Sequence, residues 1–352
     1  MRPSDAPRTA TTPAWAHVPE DVLAPFTTAA VTGGSGFVGR HLVTALTDHG
    51  KTVRVVDLVA PREPLPGTEF RQADLRDPAA TAEALHGADV VFHLAGNPSG
   101  TRSLLDPRFD FRMNVEATFN VAEACAHSGT RLVHQSAASV YGPPTYSPTD
   151  EAHAKDPILP YGAHKLCGEA IIRGLVKTWH LPASIARPFV IYGPGEDPRR
   201  AEGEVSQFLR WHLNGKPIPA VGDIDRKSRD FVHVHDMVSG LLYVAGRADP
   251  GEAVNVGSGT DTSLRRLAEV IGEVTGTPAE LVADATVLED SYALVGDITR
   301  ARALGYTPRV TLHDGIAALA RELGECPELP SITSSFTKDE KALGDRRERD
   351  GA

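Results

Sequence analysis

From residue 28 onward the apolar positions of this chain switch regularly between two periods. Thr28–Thr32 is a short apolar run that reads as a buried strand, and Thr52–Asp57 alternates Val53, Val55 and Val56 with polar neighbours. Segments 89–94, 131–136 and 183–187 predict further strands. Between them, 37–49, 109–127 and 161–179 have helical spacing, with stripes such as Val115, Phe119, Ala122 and Ile171, Ile172, Leu175. This alternation implies an α/β fold built on a doubly wound parallel sheet of Rossmann type, covered on both faces. The rhythm breaks after Tyr192, where 193–204 is rich in Pro, Gly and charge. A smaller mixed α/β region follows, and Ala253–Val256 is expected to return a strand to the main sheet.

Four segments result. Residues 1–27, rich in Pro, Ala and Thr without periodicity, are expected to form an extended or disordered leader. Residues 28–190 form the sheet domain, and 191–325 form a substrate-binding region partly interleaved with it. Residues 326–352 are expected to be a mobile C-terminal tail.

Composition narrows the function. The 352 residues are 41% hydrophobic and 23% charged, as in ordinary globular proteins. A formal charge of −10 with no basic stripe argues against a nucleic-acid partner. No apolar run reaches the ~20 residues that span a bilayer, so no membrane partner is expected. The three cysteines form no CxxC pair and are odd in number, which favours a reduced, cytoplasmic setting. The N-terminus has no apolar segment of the kind a secretion signal needs.

Two motifs carry chemistry. In the turn Thr32-Gly-Gly-Ser-Gly-Phe-Val-Gly39, Gly33 permits the bend, Gly36 lets backbone approach a diphosphate, and Gly39 lets helix pack on strand. The helix start at Phe37 and Val38 then offers free N–H groups to phosphates. Asp57, ending the second strand, suits a ribose 2′-hydroxyl and repels a 2′-phosphate, so NAD is favoured over NADP; Arg62 argues weakly the other way. The second motif is Tyr161-Gly-Ala-His-Lys165. Tyr161 and Lys165 are four apart on a predicted helix and share a face. An ammonium stabilises a nearby tyrosinate, which makes Tyr161 a proton acceptor when an alcohol is oxidised and a donor in reverse.

With Asp57, Asp74-Leu75, His93-Leu-Ala-Gly96, Asn114, Ser136-Ala-Ala-Ser-Val-Tyr-Gly142, Arg187-Pro-Phe-Val-Ile-Tyr-Gly-Pro194 and Arg229-Asp-Phe-Val-His-Val-His-Asp236 added in that order, the chain resembles the extended short-chain dehydrogenases/reductases. The likeness is to their NAD-dependent sugar epimerase/dehydratase group, especially the nucleotide-sugar 4-epimerases, over about residues 28–323. The resemblance implies that Asp74 and Leu75 sit near the adenine, that Leu94, Ala95 and Gly96 line the cofactor, and that Asn114, Ser136 and Pro188 adjoin it. It implies a substrate side containing Ser139, Arg102, Phe189, Val190 and Arg229, the last on a phosphate. It also implies a homodimer joined through two helices from each chain.

The substrate half departs from the family pattern. Ala137 stands where a Ser or Thr usually bonds the reacting hydroxyl; Ser139, on the same face of a strand, either replaces it or merely caps the loop. Ala138 and Ser139 occupy the positions where 4,6-dehydratases carry an Asp and a Glu, so elimination loses ground to epimerisation. Val190 replaces a hydrogen-bonding residue. Val287, three before Asp290, replaces an Arg that would share a diphosphate with Arg229; Arg199, Arg200 or Arg226 are possible substitutes. His233 and His235, alternating on a predicted strand, lack a third ligand, and no metal is expected. The resulting expectation is an NAD-dependent epimerase of a nucleotide sugar, with catalytic residues Tyr161, Lys165 and Ser139. The alternatives are a dehydrogenase, ketoreductase or dehydratase on an unusual sugar, and a non-catalytic NAD-binding regulator.

Overall fold

A computed structural model describes residues 12–197, 203–221, 223–284, 292–325 and 327–329. Seven parallel strands form the central sheet: β1 (Thr28–Thr32), β2 (Thr52–Asp57), β3 (Thr68–Gln72), β4 (Val90–His93), β5 (Arg131–Gln135), β6 (Ala183–Pro188) and β7 (Ala253–Val256). Their order is β7-β6-β5-β4-β1-β2-β3. The chain leaves β1 in one direction and resumes at β4 in the other, which opens a crevice at the carboxyl ends of β1 and β4, where ligands of such sheets bind. Strand β3 has no counterpart among the sequence expectations. As Thr-Glu-Phe-Arg-Gln at the sheet edge, it is mostly exposed and shows no apolar run.

Helices cover both faces. On one lie α1 (Phe37–Asp48) and α4 (Val234–Arg247), burying Leu42, Leu46, Val238 and Leu241 against Val31, Val55 and Phe92. On the other lie α2 (Ala117–Ser128) and α3 (Pro160–Trp179), burying Val121, Cys125 and Ile172 against Val91 and Leu132. A helical turn at Pro107–Phe111 and a π-helical turn at Arg112–Glu116 run directly into α2. The C-terminal region has its own core around Tyr192, Phe208, Leu267, Ile271 and Ile316. Its short strands Val190–Tyr192 and Phe231–His233 pair in parallel. His233 ends that strand and its ring accepts the amide of His235 at the start of α4, so the two histidines do not alternate along one strand.

The leader expectation is corrected for residues 12–27. Ala14–His17 and Glu20–Leu23 are helical turns packed on α4, with Trp15, Val22 and Leu23 buried. Polar anchors hold them: Trp15 Nε1 donates to Asp48 (3.0 Å), and Lys51 Nζ donates to the carbonyls of Leu23 (2.8 Å) and Phe26 (2.7 Å). Isolated apolar residues among prolines give no periodic signal, yet Trp15 fills a place between α1 and α4, and Val22 and Leu23 pack on α4. Trp15→Ala is expected to cost about 3 kcal/mol of stability in urea unfolding, the scale for a buried Trp. An unchanged midpoint would show that the segment is not docked. The expected tail 326–352 falls, apart from 327–329, outside the described residues.

Candidate functional site

The crevice is built first by the glycine turn. Gly33 has φ +69°, and a Cβ there would lie 2.8 Å from the amide nitrogen of Ala95, so the turn closes directly on the segment after β4. At Gly39 a Cβ would lie 2.1 Å from the Gly33 carbonyl oxygen, which forces glycine where helix meets turn. Gly36 caps α1 without any side-chain hydrogen bond, leaving the helix start at Phe37 and Val38 uncapped. Asp57 is fixed beside the turn: its carboxylate accepts the amides of Ser35 (3.1 Å) and Val59 (3.3 Å). A cradle of bare backbone, an uncapped helix start and a carboxylate at the end of β2 together fit a dinucleotide with a free ribose 2′-hydroxyl. Arg62 lies away from this carboxylate, in an exposed pair with Asp197 (2.9 Å).

The reacting end of the crevice lies against α3. Tyr161 is half-buried in its first turn, and Lys165, one turn on, is enclosed. Lys165 Nζ lies 5.9 Å from the Tyr161 ring centre and donates to the Gln135 carbonyl (3.1 Å). Burial lowers the Lys165 pKa to about 8, against the opposing pull of Asp110 and Glu169. A Cβ on Gly162 would lie 2.6 Å from the Ser139 carbonyl oxygen, so Ser139 is seated against the turn that carries Tyr161. Among the described residues, the buried Ser139 hydroxyl has no hydrogen-bond partner, and neither does Asn114 Oδ1. Unmet polar groups of this kind cost about 1–3 kcal/mol each until something bonds them. A Cβ on Gly96 would be 2.3 Å from Asn114 Oδ1 and 3.6 Å from Lys165 Nζ, so these groups face one small space.

Below this space α3 is bolted to the sheet. Arg187 and Glu169 are fully buried and doubly bonded (2.8 and 2.6 Å). Ser136 Oγ donates to the same carboxylate (2.7 Å), and Tyr141 OH accepts from Arg187 and donates to Asn255. Burial pushes the Glu169 carboxyl up, but the hydrogen bonds from Arg187 and Ser136 and the nearby guanidinium charge leave it below the usual carboxylate range.

The glycine turn, Asp57, Ala95, Gly96, Asn114, Lys165 and Tyr161 thus converge, with Ser139 placed by its backbone carbonyl against Gly162. Other expected site residues do not. Ser136, one residue past β5, turns its hydroxyl to Glu169, and Ser139 lies in the 3-10 turn Ala138–Val140 rather than on the expected strand face shared with Ala137. The Asp74 carboxylate is taken by a two-pronged pair with Arg76 (2.8 and 2.5 Å), whose hydrogen bonds lower its pKa. Leu75 is buried in the sheet core, its carbonyl accepting from Asn120 (2.8 Å). Pro188 is buried at the end of β6, and Phe189 packs against Ala138, Val140, Tyr141 and Leu294 as core rather than lining. Val190 packs on the C-terminal core. Arg102 is exposed with its guanidinium over the Phe109 ring, 3.7 Å from the centre. Arg229 is buried and donates to the carbonyls of Ser228 (2.9 Å) and Tyr292 (2.6 Å). Arg226 is exposed in a turn, while Arg199, Arg200, Val287 and Asp290 lie outside the described residues. Sequence reasoning missed Asp110 and His164. A buried Asp one helical turn before Asn114 was their only signal.

Comparison with known proteins agrees with this geometry. Residues 29–257 match the NAD dependent epimerase/dehydratase family. The chain is 37% identical over 299 residues to the UDP-glucose 4-epimerase of Mycolicibacterium smegmatis, covering 82% of this chain and 95% of that protein. It superimposes on the UDP-glucose 4-epimerase of Thermotoga maritima, solved with UDP-glucose, with TM-score 0.79 and 29% identity, over 84% of this chain and 98% of that one. The NAD complex of the Thermus thermophilus UDP-glucose 4-epimerase gives TM-score 0.75 and 26% identity over 84% and 98%. Relatives also include nucleotide-sugar dehydratases and decarboxylases. With the glycine cradle, Asp57 and the Tyr161–Lys165 pair in one crevice and this match across most of its length, the chain belongs to the NAD-dependent epimerase/dehydratase family of sugar-modifying enzymes.

Proposed function

We propose that this enzyme is an NAD-dependent 4-epimerase of a nucleotide sugar. The observation that carries the reading is the makeup of the reacting end: one proton-handling pair, Tyr161 and Lys165, one unpartnered hydroxyl on Ser139, and no carboxylate anywhere in residues 136–141. Eliminating water from a sugar needs an acid for the leaving hydroxyl and a base for the carbon-bound proton. Inverting a hydroxyl through a ketone needs only one group that takes a proton and later returns it. In this reading Tyr161 removes the proton of a ring hydroxyl, Lys165 holds the tyrosinate charge, and Ser139 hydrogen-bonds the reacting oxygen. Asn114 adjoins the cofactor, while Gly33, Gly36, Phe37, Val38, Gly39 and Asp57 hold its diphosphate and ribose. Bound NAD supplies the hydride acceptor and donor. The same reading makes the enzyme a cytoplasmic homodimer, with exposed Phe111, Phe119 and Trp179 on the helices expected to meet a second copy.

The reading predicts that NAD stays on the protein through turnover. Denaturing the purified enzyme and quantifying the released nucleotide should give near-stoichiometric NAD. A nucleotide hexose deuterated at the reacting carbon should be epimerised in ordinary water without losing its label. An empty site, with reduced cofactor accumulating in solution during turnover, would sink the epimerase in favour of a dehydrogenase.

A further inference from the structure

Beside the crevice lies a polar cluster that the reaction as written does not use. Asp110, on the Pro107–Phe111 turn, is completely buried. Its Oδ1 accepts from Asn97 Nδ2 (2.6 Å) and Asn114 Nδ2 (2.8 Å), and its Oδ2 meets His164 Nδ1 (2.5 Å). Asn114 Nδ2 also donates to the Asn97 carbonyl (3.0 Å). A carboxylate can only accept, so both amides must present their NH2 groups to it. That leaves Asn114 Oδ1 turned away, into the space it shares with Lys165 Nζ beside Gly96. An amide at position 110 would not impose this orientation, because it could donate as readily as accept.

We propose that Asp110 is a positioning residue of this site: clamped by His164, it fixes the Asn114 amide and supplies the negative charge that keeps Lys165 an ammonium. The proposal rests on Tyr161 and Lys165 being the proton-handling pair. Lys165 is faced by Asp110 from the Pro107–Phe111 turn, by Glu169 and Tyr161 on its own helix, and by His93 and His134 from β4 and β5. His93 and His134 are held neutral by burial, so they add no positive charge against the Lys165 ammonium. Glu169 is already committed to Arg187, Arg173 and Ser136, with two guanidinium groups beside its carboxylate. Among the described residues, Asp110 is therefore an acidic neighbour of Lys165 with no guanidinium paired to it. His164 serves as the clamp: half-buried, and packed edge-on against Phe111 (5.6 Å between ring centres), it holds Oδ2 from the solvent side.

The test is the ionisation of Lys165 in the purified, cofactor-loaded protein, followed by NMR of isotope-labelled lysine side chains. Its signal is assigned by its absence in Lys165→Met. The wild-type midpoint is expected near 8. In Asp110→Asn, removal of a nearby opposite charge lowers that midpoint by about one pH unit. The alkaline fall of kcat moves down with it while KM stays put, since Asp110 does not touch substrate. Should Asp110→Asn not fold, His164→Ala at its half-buried position takes over. Freed of its clamp, Oδ2 changes its position and solvation relative to Lys165, and the midpoint moves by less than in Asp110→Asn. A midpoint unmoved in whichever variants fold would overturn the proposal. The titration needs no substrate, so loss of the epimerase reading and loss of this one are separate outcomes.

Discussion

Tyr161→Phe is expected to lower turnover roughly 100- to 10,000-fold, the range for removing a general acid–base, while leaving NAD binding intact. The two effects separate because the parts are physically separate. The glycine turn, the start of α1 and Asp57 lie at the ends of β1 and β2, whereas Tyr161 enters from α3 on the far side of β5. Losing one phenolic oxygen removes the proton acceptor without opening the crevice, since the ring still fills its place beside Lys165. Full activity in the variant, measured on whatever sugar nucleotide the wild type turns over, would end the mechanism proposed above.

Arg187→Ala is expected to destabilise the fold by about 3–5 kcal/mol. The charge left behind decides the size: Glu169 is fully buried, and losing Arg187 removes its two shortest charged contacts together with the donor to Tyr141 OH. Arg173, on the helix surface side, still reaches the carboxylate (3.1 Å) and keeps the loss from being larger. Replacing the pair together, Arg187→Met with Glu169→Leu, should cost less than Arg187→Ala alone, because no buried charge remains uncompensated. Urea unfolding of the three proteins checks this; a single variant within about 1 kcal/mol of wild type would show that the pair is not desolvated.

Elements with a strong period were legible from sequence. Strands β1 and β2, the helix of Tyr161 and Lys165, and the return of Ala253–Val256 to the sheet were all anticipated, because an apolar run or stripe repeats over their length. Strand β3 was not, since an edge strand paired on one side only can stay polar. The docking of Trp15 was invisible because single apolar anchors carry no period. At the site, backbone requirements could be read and side-chain commitments could not. Glycines at a turn announce themselves by their spacing, but nothing in the order of residues reveals that Asp74 is claimed by Arg76 or Ser136 by Glu169. The Asp110–His164 contact joins residues far apart in the chain, and only the packing of the Pro107–Phe111 turn against α3 brings them together.

The helix that carries the proton-handling pair is fastened at three successive levels: Gly162 against the Ser139 carbonyl, Lys165 to the Gln135 carbonyl, and Glu169 to Arg187 and Ser136. An inversion requires that first one face of a sugar ring and then the other be offered to the same hydride carrier. If the epimerase reading holds, the turning falls to the ligand: a phenol on so stiff a post acts as a fixed bearing and the keto-sugar as the part that rotates.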